Sequence, residues 1–412
     1  MEPQREPLLA GPTGEPGLPG AGPWLASLTW RSLHDGWRNL LLLLLPVCYV
    51  VQNPGLQDYD QISGGLKAYH FLLPLLVLSF RPRWNPRLTV PVLLFLAACA
   101  ISSAAGTASP TRLANAFVFG LVCLSAAQVG ADKDRWFRAG ALVAIGLQAL
   151  NMLAHAGVIL ESGAANEEGR PLYPTLLAGG INIEVSVLVL LAVYCHGVAL
   201  LPVGAAIIAF TLFKTRTVLA LLPVALASRA LLASVAAASR GTRRSLWKRL
   251  LVLAGFAAGI AYMASDTDLV ESVTARLMAF GEDPGSQGRL LLYAVALQSS
   301  GCFAAGCGVG SAESLIRSSG VADFFEDNFH NVYLQQLVET GVLGALSYVA
   351  LCALSVLAAR RSAEAVRLLP AVLLLLVMNT LQFNGFEALS AYILGRAFFR
   401  DDLSNTDLYR LR

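Results

Sequence analysis

Charge is scarce in this chain. Asp, Glu, Lys and Arg make up 14% of its 412 residues, whereas hydrophobic residues make up 56%; soluble domains carry about a quarter charged residues. That shortage excludes an ordinary water-soluble globule and indicates a polytopic membrane protein. The net charge is only +3, and the basic residues form short clusters between apolar runs. A nucleic-acid-binding face is therefore not expected, and the clusters are expected to set topology. An apolar core is missing from residues 1–23, which include Met1-Glu-Pro-Gln-Arg-Glu-Pro7 and Gly14-Glu-Pro-Gly-Leu-Pro-Gly20. This stretch cannot be a secretory signal, so it is expected to be disordered, with the first span acting as an uncleaved signal. Its brief Gly-x-x rhythm is too short for collagen.

Apolar runs long enough to cross a bilayer lie near 38–53, 66–80, 88–106, 112–130, 138–160, 180–196, 198–213, 217–238, 249–265, 332–358, 366–383 and 386–400. The expected fold is an all-α polytopic membrane protein of about 12 transmembrane helices. Residues 1–37 form a cytoplasmic tail; its Trp24–Trp37 part reads as a surface helix or an exposed linker. Residues 38–265 carry spans one to nine, 266–331 one large, helix-containing extracytoplasmic loop, 332–400 the last three spans, and 401–412 a cytoplasmic tail. Loop charge tests the count independently. Arg81, Arg83 and Arg87, then Lys133, Arg135 and Arg138, then Arg240, Arg243, Arg244, Lys248 and Arg249, and finally Arg360, Arg361 and Arg367 all fall on the side of the N-terminus. Short cytoplasmic loops carry such residues.

Lys214 and Arg216 break this rule, because Phe213-Lys-Thr-Arg-Thr217 falls on the opposite side. Two readings stand: helix ends that snorkel to lipid phosphates, or cations retained to bind an anion. In the large loop, a helix of about four turns is expected from Ser286, with Arg289 in its first turn. A cation there opposes the helix dipole, so Arg289 either pairs with Glu282 or Asp283 or meets an anionic ligand. Gly306-Cys-Gly-Val-Gly310 has no strand before it and no Lys-Ser/Thr after it, so a nucleotide loop is not indicated. Asp266-Thr-Asp268 reads as a solvated acidic flank sooner than a metal site, and no metal or cofactor is expected. Cys302 and Cys307 leave open a disulfide or a turn with buried thiols, while Cys48, Cys99, Cys123, Cys195 and Cys352 read as small hydrophobes.

Histidine is rare, with five in the chain. Only His330 has acidic residues, an Asn (Asn331) and a Tyr (Tyr333) within four positions, at the point where the loop enters an apolar run. Imidazole is the side chain best suited to proton transfer near neutral pH.

The stretch His330-Asn-Val-Tyr-Leu-Gln-Gln-Leu-Val-Glu-Thr-Gly-Val-Leu-Gly344, preceded by Gly288-Arg289 and Gly306-Cys-Gly-Val-Gly310, resembles the signature of the O-antigen ligase and polymerase superfamily of bacterial envelopes. The resemblance implies a multi-pass inner-membrane glycosyltransferase with cytoplasmic termini and a periplasmic active site. Its donor would be an undecaprenyl-diphosphate-linked glycan and its acceptor lipid A-core, within a membrane-lipid environment. It further implies His330 as general base, Arg216 and Arg289 on the donor diphosphate, and Lys214, Asn331 and Tyr333 in support. A polymerase or a protein O-oligosaccharyltransferase would share this frame. The single large loop and the short chain after His330 favour the ligase. A lipid-linked-sugar transporter is the alternative of a different class, with Glu184, Asn379 and Gln382 as path-lining residues.

Overall fold

The computed structural model of the chain describes residues 30–52, 67–82, 84–161, 173–177, 180–196, 284–320, 328–360, 365–381 and 387–399. The chain divides into two compact units, 1–37 and 38–412. Of the first unit, only the opening turns of a helix are described. The expected spans at 198–213, 217–238 and 249–265, together with Lys214, Arg216, Asp266 and Asp268, lie outside the described residues.

All regular structure among the described residues is helical. The helices are α1 (Trp30–Val50), α2 (Ala68–Ser79), α3 (Pro86–Ala105), α4 (Pro110–Ala126), α5 (Ala131–Ala154), α6 (Ala156–Glu161), α7 (Gly180–His196), α8 (Pro284–Gln298), α9 (Ala312–Ser318), α10 (Val332–Ala359), α11 (Leu369–Leu381) and α12 (Ala388–Arg396). Among the described residues, α3, α5 and α10 are long and apolar enough to cross a membrane, and several others are shorter apolar helices. The chain is thus a helical protein of membrane character. Local sequence sets the starts: Pro86 and Pro110 open α3 and α4, and the Ser109 side chain caps α4 by accepting the Arg112 N–H. Small residues let the backbones approach. A Cβ at Gly395 of α12 would sit 2.1 Å from the Cys123 carbonyl oxygen of α4, and one at Gly140 of α5 would sit 2.0 Å from the Leu43 carbonyl oxygen of α1.

Polar contacts gather at helix ends in two groups. In one, the Arg38 guanidinium donates to the Ser79 carbonyl at 2.7 and 2.9 Å. Near-fully buried Asp134 accepts from Tyr194 and from Tyr392 (3.0 Å), pairs with Arg138 (2.8 Å) and lies 3.6 Å from buried Arg396. In the other, the Lys67 ammonium donates to Gln52 at 2.6 Å, the Gln52 N–H to the Leu176 carbonyl at 2.9 Å, and the Ser109 N–H to the Val309 carbonyl at 2.8 Å.

The predicted span at 332–358 is not one straight helix. Gly341 has φ 71° and ψ −176°, which breaks α10 into an arm, 332–340, and a stem, 342–359. In a straight helix, Tyr333 and Cys352 would be separated by about 28 Å of rise. Instead their side chains are neighbours, and the Tyr333 and Tyr348 rings lie 6.1 Å apart. The arm therefore folds back along the stem, with Gly341 at the apex. The interrupted backbone bonds are made good by the glycine-rich run: Val342 N–H donates to the Phe303 carbonyl (2.7 Å), Cys307 N–H to Val338 (2.9 Å) and Gly308 N–H to Glu339 (3.1 Å). A Cβ at Gly341 would lie 2.7 Å from the Gly306 nitrogen, and one at Gly306 would lie 2.5 Å from the Glu339 carbonyl oxygen. Both residues have positive φ, so glycine is required at each for shape and for space.

Candidate functional site

His330 stands at the foot of the arm, with its backbone pinned on both sides. Its φ is 51°, a left-handed conformation that non-glycine residues adopt rarely and at a cost of about 1–3 kcal/mol. An Asx-type contact holds it there, the His330 N–H donating to Asn328 Oδ1 at 2.9 Å. On one side, the N–H of buried Phe329 donates to Gln335 Oε1 at 3.0 Å. On the other, Asn331 caps the arm, its Oδ1 accepting the Leu334 N–H at 3.0 Å. Backbone strain at a half-buried histidine, maintained by these three hydrogen bonds, is the mark of an over-determined position.

The expected helix from Ser286 is present as α8, and it is tied to this corner. Tyr293 Oη and Asn331 Nδ2 both donate to the Thr380 carbonyl, each at 3.3 Å. Arg289 lies four residues before Tyr293, on the same face of α8 and one turn away, and is half-buried. The structure thus ties the helix that bears Arg289 to the turn that bears His330 and Asn331, through Thr380 in the last turn of α11. Tyr333 is used differently. Its hydroxyl donates to the Leu376 carbonyl at 3.3 Å and its ring packs on Tyr348, so it anchors the arm to α11 and to the stem.

The sequence did not single out Glu339, which turned out to organise the loop. Its side chain is 1% exposed; it accepts from Gln335 and faces the Gly310 and Ala312 amides, with Arg112 close by. The amides of the glycine run therefore serve a carboxylate of the chain itself. The legible signal was an acidic residue inside an apolar run. Cys302 and Cys307 form a disulfide across a separation of five residues, closing the base of the same run. Among the described residues, no group of three or more His, Cys, Asp or Glu is gathered as a metal site would require.

Comparison with known protein families finds no match for this chain, and no curated protein is found to be similar to it.

Proposed function

We propose that the chain is an inverting, metal-independent glycosyltransferase of the O-antigen ligase type, moving a glycan from undecaprenyl diphosphate to a sugar hydroxyl of lipid A-core. The observation that carries this reading is the meeting of Tyr293 and Asn331 on the Thr380 carbonyl, which ties the helix bearing Arg289 to the histidine turn. The strained His330 backbone is the second support. In this reading the chain crosses the bacterial inner membrane about twelve times, with both termini cytoplasmic and His330 reached from the periplasm. The helix-end contacts agree with that sidedness: Arg38 bonds Ser79, and Asp134 pairs with Arg138 and Arg396, at ends next to the basic loops, whereas the Gln52–Lys67 and Ser109–Val309 contacts lie at ends next to the other loops.

The chemistry follows from the groups present. The acceptor oxygen attacks the anomeric carbon as the bond from that carbon to the diphosphate oxygen breaks. The bonding pair leaves with the diphosphate, and the acceptor proton passes to His330. A guanidinium fork at Arg289, with Arg216 as its partner, would neutralise the charge developing on the leaving group. Purified protein in vesicles, supplied with carrier-linked glycan and lipid A-core, should form the covalent product with inversion. Movement of the lipid-linked sugar across the vesicle without bond formation would mark a transporter instead. A product built only on a second carrier-linked unit would mark a polymerase.

A further inference from the structure

The sequence from Leu290 to Ala312 contains no charged residue, although it lies in the stretch expected to be an aqueous loop. Its first part, α8, is apolar on two sides. Leu292, Val295 and Ala296 face inward and share a core with Cys302, Ala312, Ile316, Phe329 and Val338. Leu290, Leu291 and Leu297 face outward and are 61%, 47% and 57% exposed. A helix in water would turn polar residues to that face. Leu290, Leu291 and Leu297, with exposed Ala294 between them, form an apolar strip that ends at the exposed Gln287 and Gln298.

The level of α8 in the bundle accounts for the strip. Tyr293 reaches Thr380 of apolar helix α11, and the neighbouring Asn379 donates to the Tyr348 hydroxyl at 3.1 Å. Tyr348 in turn packs on Phe95 and Phe119, with ring centroids 5.8 and 6.1 Å away. Those two phenylalanines lie near the middles of α3 and α4. The contacts therefore put the Tyr293 hydroxyl of α8 level with the middle of helices of membrane character, well below the apex at Gly341. The outer surfaces of two helices long and apolar enough to cross a membrane are of the same kind: Leu93 and Leu94 on α3, and Leu343 and Leu346 on α10, are 43–62% exposed.

We propose that α8 is a re-entrant membrane element whose Leu290, Leu291 and Leu297 face is covered by acyl chains of the surrounding bilayer. The run to Ala312 then passes the Cys302–Cys307 bridge to cap the apex. This places a membrane contact inside the predicted loop and is independent of the transferase reading.

The test uses the unaltered full-length protein in phosphatidylcholine vesicles doped with a phosphatidylcholine carrying a diazirine on its acyl chain. After illumination, adducts are mapped by mass spectrometry, and a water-soluble diazirine is used in a parallel sample. The lipid probe should mark Leu290, Leu291 and Leu297 at yields comparable to Leu346, and should not mark Arg317, whose side chain is 75% exposed on charged α9. Water-probe adducts on the three leucines would overturn the proposal. So would their protection from both probes, which would mean that a second copy or another part of the chain covers the strip. Transfer activity does not enter the readout, so loss of the glycosyltransferase reading and loss of this one are separable.

Discussion

The Asp134 cluster and the His330 corner use similar residue types to opposite ends. Around Asp134, two arginines and two tyrosines surround one carboxylate, and Asp134 and Arg396 are almost wholly buried. The arrangement spans α5, α7 and α12 and acts as a clamp. Burying such charges is costly, but removing one partner is costlier because it strands the others. Around His330 the backbone is fixed, and the His330 and Asn331 side chains are half-buried. In the Asp134 cluster side chains compensate one another's charge, whereas in the His330 corner hydrogen bonds hold the main chain in place.

Substitutions should separate the two regions. His330→Ala is expected to lower transfer by about a hundredfold to ten-thousandfold, the usual worth of a general base, with the protein still inserted and thermally unchanged. Arg289→Ala should cost about a hundredfold to a thousandfold, and Arg289→Lys should not restore the rate, because an ammonium cannot reproduce the guanidinium fork. Asp134→Ala should do the reverse, lowering stability by about 3–5 kcal/mol; thermal unfolding in detergent at matched lipid content measures it. A stable Asp134→Ala protein with impaired transfer would undo the distinction between clamp and site.

Gly341→Ala sharpens the comparison, since the bend at the apex connects the bundle to the His330 turn. Its positive φ and the 2.7 Å approach to Gly306 predict a loss of more than about 1 kcal/mol, accompanied by loss of transfer. Asn331→Ala should have the smallest effect, about 1 kcal/mol from the lost helix cap. A fall in turnover beyond that stability loss would show that Asn331 also positions the histidine.

Much of this was legible in sequence, for identifiable reasons. Long apolar runs and loop charge depend on local composition, so helical membrane character could be read directly. The α8 helix was legible because Ser286 and the apolar run after it are neighbours in the chain. The bend at Gly341 was not. Gly341 and Gly344 read as small residues for helix packing, which holds for Gly344, whose Cβ would lie 3.2 Å from Ala98. What bends the chain at Gly341 is the loop at Phe303–Gly308, more than thirty residues earlier, which supplies the hydrogen bonds that a broken helix lacks. Such a long-range exchange leaves no periodic trace. Similarly, Gly306-Cys-Gly-Val-Gly310 shows three backbone positions that need glycine, while its partner, Glu339, is revealed only by folding.

The most direct test of the central claim pairs wild-type protein with His330→Ala in vesicles containing undecaprenyl-diphosphate-linked glycan and lipid A-core. The account predicts covalent glycan on the acceptor sugar for wild type, with inverted anomeric configuration, and almost none for a folded His330→Ala protein. Equal product from both proteins would contradict the assignment of His330 as the base, and the absence of any product from folded wild type would contradict the transferase itself.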